Sequence, residues 1–350
     1  TFLLSYAREC FAPDGRECLY VNLNNFIFTE RTLTDFAGEF YAAGGKVLLI
    51  DQIFKYPDWS RELRYCYDHY SNLRIVFTGS SVMRIKEENH EVGDIVAPYY
   101  LRGFSFREYL NLKTGLDLQP FSFDMLMRDR HLIARDICDQ VNPGEYFHDY
   151  LHHGFYPFFL EKRNYSENLL KMMNMTLEVD VLYIRQIEQR YLPKLRRLLY
   201  LISQNEPCTL NISQLSKEIG TSRATVMNYL KYLKDARMIT LLYPRGEEFP
   251  QKPVYAYLYN PNLLHVMNRQ TQDERTVNEA FFFNQLMKDN RVNAYDRHNS
   301  FLVNDRYLFR ISYPEARWKV SPDFYYAVDE VEPPLDEPNC IPLWMFGFLY

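Results

Sequence analysis

The sequence offers no cysteine framework. Its six cysteines, Cys10, Cys18, Cys66, Cys138, Cys208 and Cys340, are scattered and contain no C-x-x-C pair. That pattern reads as reduced thiols and argues against disulfides and a cysteine zinc site. Long apolar runs are missing too: nothing approaches the roughly 18 consecutive apolar residues of a membrane helix. A cytoplasmic protein without a membrane partner is expected. Nor does one sign of charge dominate, since the formal net charge is only −5. Wholesale nucleic-acid binding therefore has no electrostatic basis, although a local basic patch can hide within such a balance. Aromatic residues, by contrast, are plentiful, with 29 Tyr and 25 Phe. They suit a folded core, and a chain of 350 residues exceeds what one core usually serves.

One stretch organises the rest: Lys46-Val-Leu-Leu-Ile-Asp51-Gln52. An apolar run that ends in an aspartate fits a strand buried on both faces that releases a carboxylate at its C-terminal edge. Ligands of open α/β sheets sit at that edge. A second such strand, Asn72-Leu-Arg-Ile-Val-Phe77, ends in Thr78-Gly-Ser80-Ser81. In P-loop nucleotidases one strand end holds Mg²⁺ through an aspartate while its neighbour presents a small polar side chain to the γ-phosphate. The alternative for Asp51 alone is a helix cap.

Helical spacing over residues 1–10, a strand over 17–22, a helix over 29–43 closing on Gly44-Gly45, and a helix over 59–70 complete an alternating pattern. This is the grammar of a parallel sheet. Thr1-Phe-Leu-Leu starts a helix without any cap, so the natural start is expected upstream.

These residues, with Leu101-Arg-Gly-Phe-Ser-Phe-Arg-Glu108, resemble a bacterial group of AAA-superfamily ATPases of the archaeal-type ATPase group, which carry a C-terminal winged helix and a nuclease-like domain. The fold class implied is α/β multidomain. It comprises a P-loop NTPase core over 1–104, a helical lid over 105–204, a winged helix-turn-helix over 205–258 and a restriction-nuclease-like α/β domain over 259–350. The resemblance makes Thr1 the residue after a phosphate-binding loop G-x-x-x-x-G-K-T whose glycines and lysine are absent from this chain. Without that cradle the chain as given should bind ATP poorly. Asp51 takes the Mg²⁺ role, and Thr78 and Ser80 match the sensor position. Arg84 and Arg102 are candidates for a charge-stabilising arginine, with surface salt bridges the alternative. Where the family pattern has glutamate, this chain has Gln52, which can orient water but cannot accept its proton. Slow hydrolysis, or binding without hydrolysis, follows.

Farther along, His148 and His152 have an i, i+4 spacing compatible with zinc, but no third ligand or flanking base is visible, and a structural role is preferred. Residues 165–203 read as a long helical tract broken at Pro193. Ile212 to Leu230 reads as a helix-turn-helix, with Gly220 in the turn, Ser222 capping the second helix and a hairpin following as its wing. Ser222, Arg223, Thr225, Asn228 and Lys231 would project from the recognition helix toward DNA. In the resembled family, however, the winged helix is commonly a fixed part of the ATPase body. In the last domain the nuclease pattern keeps Glu279 but has Ser300 where an aspartate is needed and no acidic-x-Lys around Arg310, which implies a dead nuclease fold. The expected function is a nucleotide-binding protein using ATP and Mg²⁺ to set domain arrangement, with a protein client or a homo-oligomer as possible partners. The alternative is a non-catalytic DNA-binding or interaction module with the nucleotide core as scaffold.

Overall fold

Val47, Leu48, Leu49 and Ile50 are all buried, as a strand covered on both faces requires. They form β2 (Val47–Asp51), the centre of a parallel sheet in the order β1-β2-β3 between β1 (Cys18–Asn22) and β3 (Arg74–Phe77). Leu48 and Ile50 pack with Leu33 and Ala37 of α2 (Leu33–Ala42) and Trp59 and Leu63 of α3 (Trp59–His69). Val47 and Leu49 point the opposite way and meet Leu3 of α1 (Phe2–Cys10). The helix expected from residue 29 begins later, because Phe26–Thr29 forms a 3-10 turn and Thr32 caps α2 by accepting from the Asp35 amide at 3.0 Å. Its stop is as the sequence suggests, with Gly44 at φ 89° just beyond the C-cap.

These coordinates form a computed structural model describing residues 2–11, 16–79, 90–161, 164–182, 185–204, 210–267, 273–296, 299–311, 321–331 and 339–350. The chain divides into two units, Thr1–Tyr100 and Leu101–Tyr350. The stretches 105–204, 205–258 and 259–350 thus lie together in the second unit.

That unit opens with α4 (Phe106–Thr114), fixed by a capping box between Ser105 and Glu108. Helices α5 (Phe123–Cys138), α6 (Gly144–His153) and α7 (Tyr165–Met175) follow. The helical tract continues from α7 as a π-helical stretch, Thr176–Val181, and resumes in α8 (Leu192–Gln204). Pro193 lies in the first turn of α8, where its missing N–H costs nothing, so it starts a helix rather than breaking one.

Helices α9 (Ile212–Glu218) and α10 (Arg223–Asp235) meet at Gly220, whose φ of 61° favours a residue without a Cβ. The antiparallel pair β4 (Ile239–Leu242) and β5 (Tyr255–Leu258) comes next. Helices α11 (Pro261–Met267) and α12 (Glu274–Leu286) lead to a mixed five-stranded sheet. Its order is β10-β9-β8-β7-β6, made of β6 (Val292–Ala294), β7 (Ser300–Val303), β8 (Tyr307–Ile311), β9 (Tyr325–Val328) and β10 (Cys340–Pro342).

The apolar C-terminus packs within its own unit. Leu343–Phe348 forms a buried 3-10 helix, Phe348 stacks on Phe121, and the Tyr350 carbonyl accepts from Ser105 Oγ and Arg107 Nε, each at 3.0 Å.

Candidate functional site

The C-terminal edge of the parallel sheet carries a small hydrogen-bonded cluster centred on Asp51. Its Oδ1 accepts from Thr78 Oγ1 at 2.8 Å and from the Gln52 amide at 2.9 Å, and its Oδ2 accepts from Tyr20 Oη at 2.8 Å. The backbone fixes the two strand ends together as well, with Thr78 N donating to Ile50 O at 2.8 Å and Ile53 N to Thr78 O at 3.0 Å. Gln52 adopts a left-handed backbone, φ 58° and ψ 43°, so the chain turns sharply out of the strand at this point. Desolvation acts to raise the Asp51 carboxyl, but the bonds from Thr78, Tyr20 and the Gln52 amide outweigh it and hold the group below its ordinary value. Burial, and then the bond to Asp51, push the Tyr20 phenol up, so it remains a donor.

The structure therefore brings Asp51, Gln52 and Thr78 together as the sequence placed them. Thr1, Ser80 and Arg84 lie outside the described residues. Arg102 belongs to the second unit, where Nη1 donates to the Asn284 carbonyl at 3.2 Å and the guanidinium lies 5.9 Å from the Tyr350 ring centre. Tyr20 is the residue that motif reasoning missed. Its strand reads as an apolar sheet element, and nothing in it indicates that a phenol will reach the end of the neighbouring strand.

Two carboxylate oxygens offer about four lone-pair positions, and three are used. The remainder, on an ionised group at a sheet edge, fits a Mg²⁺ that keeps most of its waters and is shared with phosphates. No group of three or more His, Cys, Asp or Glu able to hold a metal occurs among the described residues. A Mg²⁺ site of this kind does not need one. The phosphate half of such a site, a glycine-rich loop with its lysine, has no counterpart in the sequence.

Replacing Tyr20 by Phe should remove one charge-assisted bond and cost about 1 kcal/mol at neutral pH, after discounting for partial exposure. Because the folded carboxyl of Asp51 is depressed, its stabilisation is present above the unfolded value and is lost as pH falls. The wild-type and Tyr20→Phe melting curves should accordingly converge in acid. A gap that is constant with pH would separate Tyr20 from the ionisation of Asp51.

The proposed recognition-helix residues behave differently from one another. Ser222 caps α10, its Oγ accepting from the Thr225 amide at 3.1 Å and meeting Thr225 Oγ1 at 2.9 Å. Both side chains are thus already engaged. Lys231 lies 4.8 Å from the Phe249 ring centre. Arg223 and Asn228 are exposed.

His148 and His152 stack at 4.8 Å, and His152 stacks in turn on His265 of α11 at 3.5 Å. Stacked rings do not aim their nitrogens at one point, so the structural role holds and the third histidine serves packing. Burial, followed by the charges of His152, His153 and His148, lowers His265 to about 3. Asp149 also faces this cluster, 3.5 Å from His153 Nδ1. The unfolded chain takes up a proton near pH 6.5 that the folded His265 refuses until about pH 3. Stability of the second unit should fall across that window by at most about 1.4 kcal/mol per pH unit. His265→Leu should flatten the slope in a pH series of denaturant midpoints; an unchanged slope would place the sensitivity elsewhere.

Residues 1–110 match the family model of an AAA domain, and residues 144–274 match a domain of unknown function (DUF8612). The first unit is thus similar to AAA domains, a class whose members bind ATP, generally with Mg²⁺. Two curated relatives come from Methanocaldococcus jannaschii. Uncharacterized protein MJ1637 is 23% identical over 206 residues, covering 57% of this chain and 43% of the relative. Uncharacterized protein MJ1544 is 26% identical over 211 residues, covering 56% and 43%. The chain spans less than half the length of these relatives, and both are archaeal rather than bacterial. Among the described residues, no helix is long and apolar enough to cross a membrane.

Proposed function

We propose that the protein is a slow AAA-type ATPase whose nucleotide state sets the arrangement of its other domains. The observation that carries this is the ionised Asp51 held by Thr78 and Tyr20 at the C-terminal edge of a parallel sheet. Asp51 would take a water-shelled Mg²⁺, Thr78 and Ser80 would respond to the γ-phosphate, and Thr1 would lie beside the phosphate-binding loop. Arg84 is proposed to neutralise developing charge; Arg102 is retained here only as a second candidate. Gln52 would orient the attacking water without taking its proton, which makes turnover slow. The phosphates would add the binding energy that one carboxylate cannot supply.

Thermal stabilisation by Mg-ATP tests the proposal in a form extended upstream to include the phosphate-binding loop. Ligand at 100 times its Kd should add about 2.7 kcal/mol. No shift at millimolar ATP would refute it.

A second reading, DNA binding through a winged helix formed by α9, α10 and the β4–β5 hairpin, is favoured by the exposure of Arg223 and Asn228. If Arg223 contacts a phosphate, Arg223→Ala should reduce the salt slope of DNA affinity by about 1. A slope that does not move would remove Arg223 from any interface.

The C-terminal sheet we read as a nuclease-like fold that does not cut. Glu279 is fully buried with Arg275 Nε 3.3 Å away, while Arg310 Nε donates to Ser300 Oγ at 3.0 Å, so a cation occupies the neighbourhood where carboxylates would gather Mg²⁺. Asp305, a potential substitute ligand, is ion-paired to Arg245 at 2.8 Å. Incubation with plasmid and single-stranded DNA in Mg²⁺ or Mn²⁺ should give no nicking; nicking abolished by Glu279→Ala would overturn the reading.

A further inference from the structure

Tyr20 stands in the middle of β1, opposite Leu49 of β2, while the register partner of Asp51 is Asn22. The Tyr20 ring packs against the cluster of Leu3, Val47 and Leu49 on the α1 side of the sheet. A phenylalanine would fill that place equally well. What the hydroxyl adds is the bond to Asp51 Oδ2 at 2.8 Å, which reaches across to the end of the neighbouring strand. Asn22, two residues on and on the same face of β1, directs that bond. Its Oδ1 accepts from the Asn24 amide at 2.8 Å, so its Nδ2 is the end that meets the Tyr20 oxygen, and the phenol proton is left for the carboxylate.

The two oxygens of Asp51 are used differently. Oδ1 completes the turn at Gln52 and ties in Thr78. With both of its lone pairs engaged it is closed to a cation, so Asp51 cannot grip one through both oxygens. No turn or strand end uses Oδ2, where the bond from Tyr20 leaves one lone pair. Donors arriving from β1, from the end of β3 and from the turn after β2 together stop the carboxylate from rotating. A donor on Oδ2 also draws on the charge that a cation would use. One-point coordination of fixed direction suits Mg²⁺, whereas Ca²⁺ accepts carboxylates through both oxygens.

We infer that Tyr20 is a positioning residue of the nucleotide site: its hydroxyl orients the Asp51 carboxylate so that a single lone pair of Oδ2 faces a divalent cation, which fixes the place of the cation and weakens its hold. This role rests on the reading of Asp51 as the Mg²⁺ ligand of an ATP site.

Mn²⁺ stands in for Mg²⁺ in the test, which uses the upstream-extended protein at saturating ATP. Electron paramagnetic resonance reads the affinity from the free-ion signal and the regularity of the site from the line width of the bound ion. Tyr20→Phe keeps the ring in its cluster. It should bind Mn²⁺ at least about threefold more tightly, because the donor on Oδ2 is gone, and the bound lines should broaden, because the carboxylate can turn. A purely structural residue would weaken binding or change nothing. Tyr56→Phe removes a comparable bond in the same unit, from Tyr56 Oη to Glu62 Oε1 at 2.8 Å, and should leave both readouts at the parent values. Equal or weaker affinity, or an unchanged line width, in Tyr20→Phe overturns the role of Tyr20 and leaves that of Asp51 standing. The same changes in Tyr56→Phe would trace them to lost stability and overturn it likewise. A parent that takes up no Mn²⁺ in the presence of ATP refutes the ATP-site reading itself, and the part of Tyr20 with it.

Discussion

Exchanging Gln52 for glutamate is expected to raise kcat for ATP hydrolysis by about 100-fold or more in the upstream-extended protein, the scale of a correctly placed general base. The position suits the change. Gln52 fixes Asp51 through its backbone amide rather than its side chain, so a carboxylate can be introduced without loosening the bond to Asp51 Oδ1. The left-handed backbone at φ 58° costs the same for either side chain. The neighbouring charge of Asp51 would raise the new carboxyl toward the range in which a base works best. ATP affinity should remain nearly the same, because the interaction gained exists only in the transition state. Steady-state kinetics decide it, with Gln52→Leu as a control expected to fall below the parent. An unchanged or lower kcat in Gln52→Glu would show that this side chain does not face the attacking water.

The largest stability effect is expected in the second unit, at Asn262. This fully buried residue donates to the Tyr150 and Leu151 carbonyls at 3.1 and 2.7 Å, and its Oδ1 accepts from the Phe155 amide at 2.9 Å and the Tyr165 hydroxyl at 2.5 Å. It thereby satisfies the last turn of α6, where carbonyls lack helical partners, and fixes the turn into the following segment. Tyr150 O keeps a second donor in the Gly154 amide. The Tyr165 hydroxyl likewise keeps a bond to the Tyr156 backbone, whereas the Leu151 carbonyl and the Phe155 amide would be stranded by Asn262→Ala. Each unsatisfied buried group costs about 1–3 kcal/mol, so a total near 3–5 kcal/mol is expected once some water enters. For a unit of this size that lowers Tm by roughly 8–15 °C. Asn262→Leu should do little better, since it restores volume without hydrogen bonds. A Tm within about 2 °C of the parent in both variants would contradict this account.

The same region explains why two glycines sit in otherwise apolar motifs. Gly103 packs so closely on the Phe155 carbonyl that a Cβ would lie 2.4 Å from it, and the Phe104 amide donates to that oxygen at 2.8 Å. At Gly154 a Cβ would meet the Tyr150 Cα at 2.8 Å. The Leu101-Arg-Gly-Phe and His153-Gly-Phe-Tyr-Pro stretches, distant in sequence, are thus two sides of one contact.

Local physics made much of the first unit legible. A run of apolar residues buried on both faces and a glycine stop at Gly44 are decided within a few residues, and so they can be read in order along the chain, whereas the cap at Thr32 is displaced from the expected start at residue 29 by the 3-10 turn before it. The placement of Asp51 beside Thr78 also follows from local pattern, because two parallel strands of like length end at one edge. The sequence by itself therefore determined the parallel sheet, the carboxylate at its edge and the neutral side chain of Gln52. What only the tertiary structure decided is partnership over long separations: Tyr20 on Asp51, His265 on His152, Asn262 under the end of α6, and Arg102 on the Asn284 carbonyl. Polar side chains carry no periodicity that names a distant partner, and their bonds form only after apolar burial has brought the elements together.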